Sequence, residues 1–93
     1  MIVGICKVSL YAQWVKTLKE KRMIIKSIIS KIKNKFNVSI SEVECQDIHE
    51  KIVIGFTCIS NEVSHADSII DNVLNFIEWN TEAEIIDIER QLF

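Results

Sequence analysis

Apolar side chains follow two different periods along the chain, and each period predicts one type of secondary structure. Residues 2–11, IVGICKVSLY, alternate and are rich in β-branched residues, which predicts a strand. Residues 17–36 carry apolar side chains three or four positions apart, which predicts an amphipathic helix. The apolar positions of this helix are Leu18, Ile25, Ile28, Ile29, Ile32 and Phe36.

The remainder of the chain adds two strands, a helix and a final strand. Residues 38–47 and 51–60 predict strands, and the alternation in the first slips by one after Ile40, as a β-bulge would produce. The second is apolar on both faces, which is typical of a central strand. Residues 62–79 predict another amphipathic helix, and residues 82–92 predict the last strand.

The resulting order, β-α-β-β-α-β, is that of the ferredoxin-like fold of the α+β class. We expect a four-stranded antiparallel sheet of order 4-1-3-2 with both helices on one face. No linker or low-complexity segment interrupts the pattern, so residues 1–93 are predicted to form a single domain.

The second face of this sheet is predicted to be open. If the even-numbered residues of strands 1 and 3 face the helices, the open face shows Val3, Ile5, Val53, Thr57 and Ile59. It lacks the central aromatic residues through which RNA-recognition sheets stack bases. An apolar face of this kind favours burial against a second copy of the chain, so we expect a homodimer.

Composition excludes several classes of protein. The chain is 48% hydrophobic and 26% charged, with no Pro and two Gly, which is ordinary for a globular domain and not for a disordered or fibrous one. It contains no apolar run long enough to span a membrane. The first ten residues lack a basic n-region and a small-residue cleavage site, so we expect a cytoplasmic protein that does not engage membranes.

Residues that could carry chemistry are few and dispersed. Three cysteines without a C-x-x-C pair favour reduced thiols over disulfides or a zinc site. His49 and His65 fall at opposite ends of the predicted fold, so they cannot share a metal, and neither belongs to a nucleophile motif. We therefore expect no catalytic residue, metal, cofactor or small-molecule substrate, and a protein that is not an enzyme.

Charge is strongly segregated along the chain. Residues 1–37 hold nine of the eleven Lys and Arg and one acid, whereas residues 38–93 hold two bases and twelve acids. The basic part opens its helix with TLKEKR, where Thr17 and Glu20 form a capping box. The bases there oppose the helix dipole. The candidate anion-binding residues are Lys16, Lys19, Lys21, Arg22, Lys26 and Lys33.

Two interpretations of these bases are open. They can form a surface for a polyanion, with the free N–H groups of the helix N-terminus contributing. Alternatively, acids of the second helix neutralise them across the groove between the helices; these are Glu62, Asp67, Asp71 and Glu78.

Two tryptophans are predicted to lie at the same end of the molecule. Trp14 precedes the basic helix and Trp79 ends the second helix. We predict that they pack on each other and close the core, although aromatics beside bases also suit stacking on unpaired RNA bases.

The chain resembles the YlxP-like family of small uncharacterised bacterial proteins. The resemblance rests on MIVGICKVSL at the start, LKEKR at 18–22, KFNVSISEVE at 35–44 and ISNEVSHADSIIDNVLNFIE at 59–78. It implies a ferredoxin-like fold without an established activity. The family's genes commonly neighbour those of a translation initiation factor and a ribosome-binding factor, which implies ribosome maturation or RNA binding.

These observations together predict a non-catalytic protein that binds RNA or a ribosomal particle through its basic helix. The alternative is a homodimeric protein–protein adaptor that does not bind nucleic acid.

Overall fold

The predicted order of elements is confirmed by a computed structural model that describes all 93 residues. The elements are β1 (Ile2–Tyr11), α1 (Leu18–Lys35), β2 (Ser39–Glu44), β3 (Lys51–Ser60), α2 (Val63–Asn80) and β4 (Glu84–Leu92). The largest departure from the predicted bounds is β2, which ends three residues early because the hairpin loop begins at Cys45. Neither helix is long and apolar enough to cross a membrane.

The four strands form one antiparallel sheet of order β2-β3-β1-β4, which is the predicted order read from the other edge. β1 and β3 are central and pair along their whole length, from Ile2 opposite Ser60 to Tyr11 opposite Lys51. β4 pairs with the other side of β1, with an irregularity between Ser9 and Leu10. The fold is therefore ferredoxin-like, as predicted.

The core lies between one face of the sheet and the two helices. Alternate residues of the central strands point into it, because successive side chains of a strand face opposite sides. The buried set from β1 and β3 is Cys6, Val8, Leu10, Ile52, Ile54, Phe56 and Cys58. The helices add Ile25, Ile28, Ile32, Ala66, Ile70, Val73, Leu74 and Ile77. Burial raises the pKa of the Cys6 thiol to about 11, so this cysteine stays protonated.

The open face of the sheet is more polar than predicted. Lys7 lies at its centre, opposite Gly55 on β3 and Glu89 on β4. Its ammonium group lies 2.7 Å from a carboxylate oxygen of Glu44 and 3.1 Å from one of Glu89, so an ionic ladder spans the sheet. Ile5 and Ile59 are exposed on the same face, as predicted. The prediction of an apolar open face was wrong in its extent, because it omitted Lys7.

A bulge in β2 lies later than the sequence indicated. The register with β3 shifts between Glu42 and Glu44, rather than directly after Ile40. Val43 and Glu44 therefore both lie on the open face of the sheet, and Val43 packs over Gly55. A Cβ atom at position 55 would lie 2.9 Å from Val43 Cγ1, so the glycine allows this packing.

The ionic ladder predicts that folding stability depends on pH through the carboxyl group of Glu44. Its hydrogen bond to Lys7 lowers the pKa of the Glu44 carboxyl below its ordinary value, and the same bond raises the pKa of Lys7. A lowered carboxyl pKa contributes stability above the unfolded-state pKa, and that stability is lost as the pH falls through the folded-state pKa. In Lys7→Met, the pKa of Glu44 should rise toward the ordinary value of an exposed glutamate, measured by carboxyl-carbon NMR titration.

Chemical denaturation provides the second measurement for this variant. Between about pH 6 and pH 3, the free energy of unfolding should fall less in Lys7→Met than in the wild type. An unchanged Glu44 pKa in the variant would show that the ladder does not form in solution.

Candidate functional site

The basic segment begins with a capped helix end. Thr17 is the N-cap of α1, and its hydroxyl oxygen accepts a hydrogen bond of 3.1 Å from the backbone N–H of Glu20. This bond satisfies one of the free N–H groups of the first turn and sets the helix start at Leu18. The predicted capping role of Thr17 is confirmed.

Lys21 does not belong to the exposed basic surface, which corrects the sequence prediction. Its side chain is 1% exposed. The ammonium group donates hydrogen bonds to the backbone oxygens of Cys45, at 2.5 Å, and Ile48, at 2.7 Å. It also lies 2.9 Å from a carboxylate oxygen of Glu42. Lys21 therefore attaches α1 to the β2–β3 hairpin and is not available to a ligand.

The hairpin loop is shaped to receive this ammonium group. Cys45 adopts a left-handed backbone conformation, with φ of 59°. Its carbonyl oxygen accepts from the N–H of Ile48 at 3.0 Å as well as from Lys21. His49 adds a second attachment, since its Nδ1 lies 2.8 Å from the backbone oxygen of Val15. The loop before α1 and the hairpin are thus held together at one end of the molecule.

The other five candidate bases are exposed: Lys16, Lys19, Arg22, Lys26 and Lys33. None of the five forms an ion pair with a carboxylate within the chain. The ammonium group of Lys16 donates only to the backbone oxygen of Gln13, at 3.3 Å. These five residues are called the basic flank below.

Helical geometry places four of these residues in one row. Lys19, Arg22, Lys26 and Lys33 follow one another at spacings of three, four and seven residues, so they share one side of α1. The row extends for about 21 Å along the helix axis. Ile24 lines a cleft between α1 and the end of α2. Because each residue turns about 100° around the helix axis, Lys26, two residues later, points to nearly the opposite side of α1. The basic flank therefore faces away from α2.

Acids of α2 do not neutralise the basic flank. Asp67 and Asp71 bind Arg90 of β4, with N–O distances of 3.1 Å and 2.6 Å. The hydrogen bonds to Asp71 and Asp67 raise the pKa of the Arg90 guanidinium, and the bond to Asp71 has the larger effect. No ion pair joins α1 to α2. The interpretation in which α2 acids neutralise the α1 bases is therefore wrong for this structure.

The two tryptophans do not pack on each other, contrary to the prediction. Trp14 is 42% exposed and lines a cleft with Met23, Ile24 and residues 80–82, and Trp79 is 86% exposed. The aromatic pair that does form is Phe36 with Phe76, whose ring centroids lie 5.6 Å apart in an edge-to-face arrangement. Sequence reasoning missed this pair, although Phe36 is the last apolar position of the stripe predicted for α1.

His65 has a local structural partner at the opposite end of the molecule from His49. Its Nδ1 lies 2.8 Å from the hydroxyl oxygen of Ser60, which also accepts from the backbone N–H of Glu62 at 3.2 Å. This arrangement connects the end of β3 to the start of α2. No group of three or more potential metal ligands exists in the structure.

Comparison with known proteins identifies the family. The family model described as "Protein of unknown function (DUF503)" matches residues 3–90. The chain belongs to this family. The uncharacterized protein YlxP of Bacillus subtilis (strain 168) is 38% identical over 68 residues, covering 73% of this chain and 74% of that protein. The resemblance noted from the sequence is thereby confirmed.

A solved structure with the same architecture supports the fold alone. The de novo designed protein Foldit4 superposes with a TM-score of 0.52 at 13% sequence identity, covering 99% of this chain and 94% of that one. At this identity the likeness carries no information on the function of the DUF503 chain.

Because the ammonium group of Lys21 is buried, substitution of Lys21 should destabilise the fold far more than substitution of the exposed Lys19. Lys21→Met leaves Glu42 and the hairpin carbonyls without their cation, so the free energy of unfolding should fall by about 3 kcal/mol in urea denaturation. Lys19→Met, at an exposed position two residues earlier, should change it by less than about 0.5 kcal/mol.

A double variant separates charge from packing at this position. Adding Glu42→Leu to Lys21→Met removes the unpaired carboxylate, so part of the lost stability should return. Equal small effects of Lys21→Met and Lys19→Met would contradict the assignment of Lys21 to the interior.

Proposed function

We propose that this protein is a non-catalytic RNA-binding protein, associated with ribosome maturation or translation, that contacts phosphates through the basic flank. The observation that carries the proposal is the row of exposed bases on α1 without carboxylate partners. An unpaired row of like charges destabilises an isolated helix, so its presence favours an external anion.

The arrangement of the row suits a phosphate backbone. Lys19 and Arg22 lie in the first turns of α1, where the helix dipole adds positive potential. Lys26 and Lys33 continue the row toward the other end of the helix, so one strand of a nucleic acid can meet several bases in succession. RNA is favoured over other polyanions by the link to translation that the family resemblance implies.

A second candidate function is that of a homodimeric adaptor, which the open face supports. Ile5 and Ile59 are 43% and 64% exposed there, and Val43 is 43% exposed. Apolar residues grouped on one face favour contact with a protein. The ladder of Lys7, Glu44 and Glu89 divides this patch, so the basic flank provides the stronger argument.

Salt dependence is the most direct test of phosphate binding. Five phosphate contacts predict a slope of log Kd against log salt of magnitude about 4, measured by fluorescence anisotropy with a labelled stem-loop RNA. Lys19→Gln combined with Arg22→Gln should reduce this magnitude by about 1.5 and weaken binding to unrelated RNA sequences equally.

The matched control for these variants is Lys51→Gln, because Lys51 lies on β3 outside the basic flank. It removes a positive charge from the same chain but should leave the slope unchanged. Unchanged binding in the double variant, or an equal effect per charge in Lys51→Gln, would reject the basic flank as the site.

A further inference from the structure

The C-terminal halves of the two helices enclose a groove that differs in chemistry from the basic flank. Six of the residues that line it are Lys35, Asn72, Asn75, Phe76, Trp79 and Asn80. Its volume is about 410 Å³, and no carboxylate lines it. Aromatic, amide and cationic groups thus share one concave surface.

Trp79 is the most informative residue of this groove. Its side chain is 86% exposed although it is the largest apolar side chain of α2. Exposed tryptophan is uncommon in folded proteins and is enriched where a ligand or partner covers it. Trp79 therefore provides an aromatic surface that the fold itself does not use.

Lys35 adds positive charge beside this aromatic surface. Its ammonium group lies 5.0 Å from the ring centroid of Phe76 and 5.8 Å from that of Phe36, within cation–π range. It pairs with no carboxylate. The groove is consequently suited to a ligand that combines a negative charge with a flat ring.

The amide side chains supply the remaining polar groups. Asn80 donates to the backbone oxygen of Phe76 at 2.8 Å, which orients this side chain at the edge of the groove. Asn72 and Asn75 are exposed, and their amides form no hydrogen bond within the chain. Such amides can donate to and accept from the edge of a nucleobase.

We propose that the groove, defined by Trp79, Lys35 and the three asparagines, binds an unpaired nucleotide of RNA, with the base on Trp79 and the phosphate at Lys35. This inference rests on the proposed function, since the nucleotide belongs to RNA held at the basic flank. Ser30 and Asn34, which carry no charge, lie on the exposed surface of α1 between the two sites. A strand can therefore cross α1 without meeting an acid.

The proposal distinguishes unpaired from paired RNA, because only unpaired bases can stack on an aromatic side chain. The test uses the full chain in a Trp14→Phe background, so that Trp79 is the sole tryptophan. A ribo-oligonucleotide of about ten nucleotides should quench its fluorescence, whereas the same strand annealed to its complement should not.

Substitution at position 79 provides the affinity measurement. Trp79→Ala should weaken binding of the single strand about ten-fold and leave duplex binding unchanged, whereas Trp79→Phe should retain most of the affinity. Met23→Ala is the matched control, since Met23 is an exposed apolar residue of α1 outside the groove lining. It should leave both affinities unchanged.

Each alternative result has a distinct meaning. Single-strand binding that is unaffected by Trp79→Ala overturns the groove assignment and leaves the basic flank as the RNA site. Failure of the wild type to bind either RNA overturns the proposed function together with this inference. A dimer in sedimentation equilibrium that Trp79→Ala dissociates would assign the groove to a second copy and overturn the nucleotide.

Discussion

The buried ammonium group of Lys21 fixes how α1 sits on the sheet. It lies between Glu42 on β2 and the carbonyl oxygens of Cys45 and Ile48 in the hairpin. A buried ion of this kind tolerates little displacement, because its hydrogen bonds offset a large desolvation cost. The rotation of α1 about its own axis is thereby set, together with the direction of each exposed face.

This rotation separates the bases of α1 by role. Of the seven bases of α1, one is structural, four form the row of the basic flank, Lys35 lies beside the aromatic groove, and Lys31 is exposed outside both sites. The acids of the second half lie elsewhere: Asp67 and Asp71 are engaged by Arg90, and Glu44 and Glu89 by Lys7. The helical layer is therefore positive on the side of α1, while the acids are distributed over the hairpin, α2 and β4.

Hydrophobic periodicity was sufficient to predict the fold, because the two helices and the two central strands each bury apolar side chains at regular spacing. It was not sufficient for Lys21, since a lysine within a basic run is ordinarily exposed. A signal was nevertheless present in the sequence. Lys21 continues the stripe of Leu18, Ile25 and Ile28, and Glu42 is an acid at a helix-facing position of β2. Two opposite charges at inward positions predict a buried pair.

The exposed bases of the candidate site could be predicted from the sequence, but the groove at Trp79 could not. Five of the six proposed bases are exposed, because helical spacing determines which residues share a side. The exposure of Trp79 and its proximity to Lys35 depend on how α2 crosses α1, which no local pattern specifies. The same holds for Lys7, whose partners come from β2 and β4, on either side of the two central strands.

The most direct test of RNA binding by the helical layer is an NMR titration of the ¹⁵N-labelled protein with a stem-loop RNA. Amide shifts are expected to concentrate in residues 16–35 and in the last turns of α2, while the open face of the sheet is unchanged. The largest shifts on β2 and β4, or no shifts at all, would contradict this expectation.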